Sequence, residues 1–165
     1  LPDRPPPIVV AASGPASARI AAELGDGMFA TEPKPDLVQA YQRYGGHGPR
    51  YAEVPLAWAP DEEQAVRAAW QTSRWAVTGW KVMSELPNPV NFEAATHTVT
   101  EDAIRQQFAI GPDPQTHVTA VRKYADAGFD HLVLLNAGPD PDGFFDFYQE
   151  TLADRLRGLA TVAVG

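Results

Sequence analysis

Short apolar runs separated by breakers recur along the chain, and most are followed by a stretch with helical spacing. Residues 8–12 (IVVAA) are apolar and β-branched, between proline and Ser-Gly-Pro, which predicts a strand buried on both faces. Over residues 16–24, Ile20, Ala21 and Leu24 share one helical stripe; Ser13 can cap its start, and Gly25 ends it. Residues 27–31 (GMFAT) predict a second strand. A brief helix capped by Asp36 follows through Tyr44, stopped by Gly45-Gly46. Residues 51–58 (YAEVPLAW) predict a third strand, in which Pro55 removes a ladder donor and so marks an edge or interrupted position.

Asp61 caps a long helical region running to about Met83, with Glu62 and Glu63 in the first turn where the dipole favours them. Leu86-Pro87-Asn88-Pro89 breaks it, and short helices are expected over 92–97 and, capped by Thr100, over 101–108. Asp113-Pro114 starts the next helix. Val118, Val121, Tyr124 and Ala125 form its buried stripe, and Gly128 its stop. Residues 131–136 (HLVLLN) are the fourth and strongest strand. A Gly-Pro-Asp-Pro-Asp-Gly loop leads from it to a helix over 143–156, with Phe144, Phe147, Tyr148, Leu152 and Leu156 inward. Strands alternating with helices imply parallel pairing through right-handed crossovers. Four such units make either a small doubly wound sheet or half of an eight-stranded barrel, and the pattern admits both.

Composition narrows the function more than the fold. With 165 residues the chain can bury a core, and 44% hydrophobic with 21% charged residues is ordinary for a globular protein. A net charge of −8 argues against a nucleic-acid groove, which needs a basic footprint. The absence of cysteine excludes disulfides, a thiolate nucleophile and Cys-based metal sites, and fits a cytoplasmic setting. No apolar run suggests a membrane span. The start at Leu1 suggests processing or a segment of something longer. Sixteen prolines and thirteen glycines suit many short elements joined by turns. His47, His97, His117 and His131 lack metal-ligand spacing, and His131 precedes its strand, away from the strand's C-terminal end. Trp70, Trp75 and Trp80 recur at five-residue steps and are expected to pack a helix, whereas Trp58 closes the third strand and can wall a ring-binding pocket.

Candidate chemistry gathers at strand exits. Ser13-Gly14-Pro15-Ala16-Ser17 joins a strand to a helix, and the unpaired N–H groups of a first helical turn favour a phosphate. On these residues alone the turn reads rather as a well-capped helix start, and it is resemblance to a family that turns that reading toward a site. Thr31 ends the second strand, with Lys34 three residues on in Thr-Glu-Pro-Lys-Pro. A hydroxyl and an ammonium there suit an anionic or polyhydroxylated substrate. Asn136 and Asp140 stand at the last strand's exit without an assigned role.

The stretches VVAASGPASARIAAELGDGMFAT, GPDPQTHVTAVRKYADAGFDHLVLL and GPDPDGFFDFYQETLADRLR together resemble the closing half of the luciferase-like monooxygenase superfamily, most of all the group that includes F-420-dependent glucose-6-phosphate dehydrogenase. The resemblance runs from about Pro7 to Leu159. It implies an α/β fold of (β/α) TIM-barrel type, with this chain as a C-terminal half-barrel. Residues 1–165 would form one such domain: an extended lead-in over 1–7, βα units over 8–159 supplying strands five to eight, extra helices after the third strand of the chain, and a tail over 160–165.

The cofactor it implies is F-420, an 8-hydroxy-5-deazaflavin that accepts or donates hydride, with FMN as the alternative. Ser13, Gly14, Ala16 and Ser17 are carried over as contacts to its phosphate-bearing tail, and Thr31 and Lys34 as substrate contacts. The family's catalytic histidine and acid belong to loops of the first half, so no catalytic residue is expected here. The family's further phosphate-gripping lysine and arginine align with Met83 and Gln107; Lys81 and Arg105 lie two residues away, and a small gap would bring them to those positions. Each lost charge-assisted bond is worth about 1.5–3 kcal/mol, so glucose 6-phosphate is not the expected substrate. A hydride-transferring oxidoreductase is the primary reading. A non-catalytic module binding a phosphorylated ligand, or an FMN-dependent fragment, is the alternative. Half a barrel leaves apolar sheet surface wet at about 25 cal/mol per Å². The expected partner is the N-terminal half of the barrel or a second copy of the chain.

Overall fold

The structure, a computed structural model, describes residues 5–160. The first four residues of the expected lead-in, and residues 161–165 of the expected tail, lie outside the described residues. The chain forms two compact units, and the strands β3 (Arg50–Ala57) and β5 (His131–Asn136) each run from one into the other.

In the first unit (residues 5–54, 118–134 and 155–160), β1 (Val9–Ala11) leads through α1 (Pro15–Leu24) to β2 (Gly27–Ala30), and α2 (Pro35–Arg43) leads on to β3. Neighbouring strands are parallel: Val10 lies opposite Met28, and Phe29 opposite Tyr51. β5 adds to β3, the Asp130 N–H donating to the Arg50 carbonyl at 3.1 Å. One sheet face carries Met28, Ala52 and Val54 into a core closed by Leu37, Val38 and Tyr41 of α2 and by Val121 and Tyr124 of α7 (Pro114–Asp126). Leu132 and Leu134 of β5 pack against the same core.

Among the described residues, the opposite face has no such cover. On it Val9 is 38% and Val133 46% exposed, and Phe29, Tyr51 and Glu53 are half-buried. The expectation that residues 8–12 are buried on both faces is therefore not met: the helices cover only one side of β1. α1 differs too. Its buried residues are Ala18 and Ala21, while Ile20 and Leu24 stand exposed. Small side chains let α1 lie close against its neighbours.

In the second unit (residues 55–117 and 135–154), Leu56 and Ala57 of β3 pair with a two-residue strand β4 (Ala109–Ile110) that the apolar pattern did not announce. Between β3 and β4 lie α3 (Glu62–Ser73), a 3₁₀ turn (Arg74–Val77), α4 (Trp80–Met83), α5 (Pro89–Thr96) and α6 (Glu101–Gln107). The long helix expected to reach Met83 is thus broken after Ser73, and Gly79 at φ +76° sets the second break. Trp70 packs there, its indole N–H donating to the Val99 carbonyl. Trp75 and Trp80 are exposed by 42% and 63%, contrary to a packing role. The unit's core joins Ala65, Val66 and Ala69 of α3 to Ile104, Phe108 and Ile110.

Caps follow the sequence closely in this unit. Asp61 accepts from the Gln64 N–H at 2.9 Å, and Thr100 from the Ala103 N–H at 3.3 Å. Asp140, without an assigned role from the sequence, also caps: it accepts from the Gly143 N–H at 3.0 Å, so the last helical region begins at Pro141, ahead of the expected 143. It runs as α8 (Pro141–Phe147), a π-helical stretch (Tyr148–Leu152) and α9 (Ala153–Ala160). In the first unit Asp36 does not cap α2; Lys34 holds the cap position without a side-chain capping bond.

Candidate functional site

Because β1 and β2 are parallel neighbours, their C-terminal ends lie side by side, with the Ala12 N–H donating to the Phe29 carbonyl at 2.8 Å. The two exits share a small cleft lined by Ala12, Ser13, Ala30, Thr31, Glu32, Lys34 and Leu37. Its free volume is about 10 Å³, the lower limit for a single water. The fold thus brings together Ser13, expected at the cofactor tail, with Thr31 and Lys34, expected at the substrate. Gly14, Ala16 and Ser17 continue the same turn outside the lining of the cleft.

The turn is organised by Ser17 rather than by Ser13. Ser17 Oγ accepts from the N–H groups of Ser13 (3.1 Å) and Gly14 (3.2 Å) and donates to the Gly14 carbonyl at 3.0 Å. Its one proton is thereby committed. Gly14, not Ser13, is the N-cap. Pro15 has no N–H, so Ala16 and Ser17 present the first-turn donors for which a helix has no internal acceptor. A Cβ placed on Gly14 would meet nothing within 4 Å, so the turn faces open space. An anion can approach two backbone donors there at the positive end of α1. The residues fit a phosphate-bearing tail.

Glu32 changes the electrostatics of the neighbouring exit. Its carboxylate is ion-paired with Lys34 Nζ, and the Lys34 N–H donates to the Glu32 carbonyl at 2.9 Å, so a tight local turn holds the two charges together. Beneath them Tyr124 donates its hydroxyl to the Thr31 carbonyl at 3.3 Å. Burial, and after it the charges of Glu53 and Glu32, push the Tyr124 phenol up to about 12.

Strand exits in the second unit carry aromatic and polar groups. Trp58 follows β3 and is buried, its ring stacked on Phe147 at 5.5 Å between centroids. It is internal packing rather than an open pocket wall. Asn136 Oδ1 accepts from the N–H groups of Trp58 (3.0 Å) and Gly138 (2.9 Å), which gives that residue a structural role. His117, fully buried, donates Nε2–H to the Gly111 carbonyl at 2.8 Å and sets its ring edge-on to Phe147. Among the described residues its Nδ1 has no hydrogen-bond partner, and neither does Trp58 Nε1. Burial lowers the His117 pKa, against weaker raising contributions from the Gly111 bond and the Asp113 charge. Arg105 is held by the carboxylates of Glu62 and Glu63.

His131 opens β5, bonded to Asp130 at 2.7 Å and packed on Tyr51. Glu32, Tyr124 and His117 were not singled out as site residues from the sequence. For Glu32 a signal existed, an acid two residues before a candidate lysine; for the other two, burial and long-range contacts decide.

A family model described as luciferase-like monooxygenase matches residues 1–131. F-420-dependent glucose-6-phosphate dehydrogenase of Tsukamurella paurometabola is 32% identical over 176 residues, covering 96% of this chain and 51% of the relative. The enzyme of that name from Nocardia farcinica is 30% identical, covering 97% of this chain and 51% of its own length. The chain therefore spans about half the length of the curated relatives it matches. Among solved structures, an F-420-dependent secondary alcohol dehydrogenase in complex with an F-420–acetone adduct aligns with a TM-score of 0.77 at 19% identity, over 94% of this chain and 50% of that one. The F-420-dependent tetrahydromethanopterin reductase of Methanopyrus kandleri aligns at 0.67 and 18% identity, over 91% and 51%. These likenesses show the fold: parallel α/β units of the half-barrel kind. By the family match over residues 1–131, the chain belongs to the luciferase-like monooxygenase family.

Proposed function

We propose that this chain is the cofactor-tail and substrate-edge half of an F-420-dependent oxidoreductase, completed by the N-terminal half of the barrel. The observation that carries this reading is the meeting of the 13–17 turn with Thr31 and Lys34 at adjacent parallel strand exits. The Ala16 and Ser17 N–H groups hold the cofactor's phosphate, Ser17 Oγ keeps the turn folded, and Ser13 borders the cleft. Thr31 and Lys34 orient the substrate. When bound, the deazaflavin supplies hydride transfer; the acid and base come from the other half, and this chain alone is inactive. The uncovered sheet face carrying Val9 and Val133 supports completion by another barrel half, a second copy being the alternative.

Glucose 6-phosphate is not the substrate in this reading. Met83 and Gln107 stand where the resemblance places cations, and Arg105 is already engaged by two carboxylates.

The test supplies the first half of the barrel and titrates F-420 and FMN separately, reading fluorescence and hydride transfer. F-420 binding with turnover is expected. Gly14→Val, which keeps an extended backbone (φ −157°) and fills the space before the turn, should weaken F-420 at least about tenfold, the loss of roughly one hydrogen bond to a charged group. Unchanged affinity removes the turn from the site. Preference for FMN overturns the cofactor assignment, and binding without turnover favours a non-catalytic module.

A further inference from the structure

We infer that Glu32 determines substrate class at this rim: by holding Lys34 in an ion pair, it directs the site to an uncharged hydroxyl or carbonyl compound and away from phosphate esters. The inference rests on the proposed function only in treating Thr31 and Lys34 as substrate contacts.

Two independent features carry it. Lys34 and Glu32 line the same cleft as Ser13 and Thr31, so any ligand reaching Thr31 meets both charges. Their pairing is built into the backbone: the 2.9 Å bond from the Lys34 N–H to the Glu32 carbonyl fixes the turn, and the Leu37 N–H donates to the Lys34 carbonyl at 3.2 Å, anchoring it to α2. An anion would meet the Lys34 ammonium only together with the Glu32 carboxylate. A neutral hydroxyl meets complementary partners instead: Glu32 accepts its proton, while Lys34 and the Thr31 hydroxyl donate. The Lys34 and Glu32 side chains are 50% and 47% exposed, so the pair contributes little to stability, and its consequence lies in the potential a ligand encounters.

Inorganic phosphate is the probe. The full chain and its Glu32→Gln variant are titrated with it, and the amide shifts of Thr31, residue 32 and Lys34 are followed. Removing the carboxylate should tighten phosphate binding at these residues about tenfold. A second substitution, Lys34→Ala on the Glu32→Gln background, should abolish the gain. The inference is overturned if the unsubstituted chain already binds phosphate there as tightly as Glu32→Gln, or if Glu32→Gln gains nothing while its spectrum shows a native fold. F-420 binding by the completed protein is read separately, so loss of the cofactor assignment and loss of this inference give different results.

Discussion

His117 shows how one residue's surroundings set a response to pH. Its Nε2–H is committed to the Gly111 carbonyl, its Nδ1 is buried without a partner among the described residues, and it sits in the first turns of α7, where the dipole opposes a cation. Its folded pKa lies below the ordinary value of about 6.5. Below that value the unfolded chain takes up the proton more readily than the folded one. The contribution is therefore present above about pH 6.5 and is lost as pH falls through the unfolded value towards the folded one. His117→Gln keeps a donor for Gly111 and removes the titration, so its Tm should fall less than that of the unsubstituted chain between about pH 6.5 and 5. Parallel melting curves check this; identical slopes would exclude the histidine as the cause. Asn136 gives a second residue-scale expectation. Its Oδ1 alone serves two backbone N–H groups, so Asn136→Ala should cost about 1–3 kcal/mol in denaturant unfolding.

At the scale of elements, the loop between α2 and β3 is shaped by close backbone approach. A Cβ on Gly48 would lie 1.9 Å from the Asp26 carbonyl oxygen, and the Gly48 N–H donates to the buried Tyr41 hydroxyl at 3.1 Å. Gly48→Ala must push two backbone segments apart and should destabilise by at least about 1–3 kcal/mol, read as a lower midpoint in urea. The sequence marked this region only as a helix stop; that Gly48 touches the loop before β2 is a contact across 22 residues, beyond any local pattern. By contrast, the caps at Asp61, Thr100 and Asp113 were legible because each bonds an N–H two or three residues on. Pro55 was legible as an interruption, and it lies between the stretches of β3 registered with β2 and with β4.

For the whole molecule, the decisive feature lies in the first unit, where the described residues cover one face of the sheet and leave the other uncovered. Val133 on β5 is 46% exposed, so Val133→Glu should leave the chain's own stability within about 0.5 kcal/mol. The same substitution should block assembly with the N-terminal half, because it would bury an unpaired carboxylate against an apolar surface. Sedimentation of the mixed halves, with and without the substitution, checks this. Assembly unaffected by Val133→Glu would remove this face from the proposed interface.

The order of strands and helices, most of their caps and the parallel α/β class follow from local chemistry, since β-branched runs, breakers and capping side chains act within a few residues. The resemblance added the half-barrel and the residues at the first two strand exits. Tertiary structure decided the rest: which face of the sheet stays open, that α1 buries its alanines, and that a two-residue β4 forms against β3. It also placed Ser13, Glu32 and Lys34 around one cleft, and buried His117. The physical reason is the reach of each interaction. A cap needs only its own helix, whereas a cleft, a buried imidazole or an exposed sheet face is defined by segments distant in the chain.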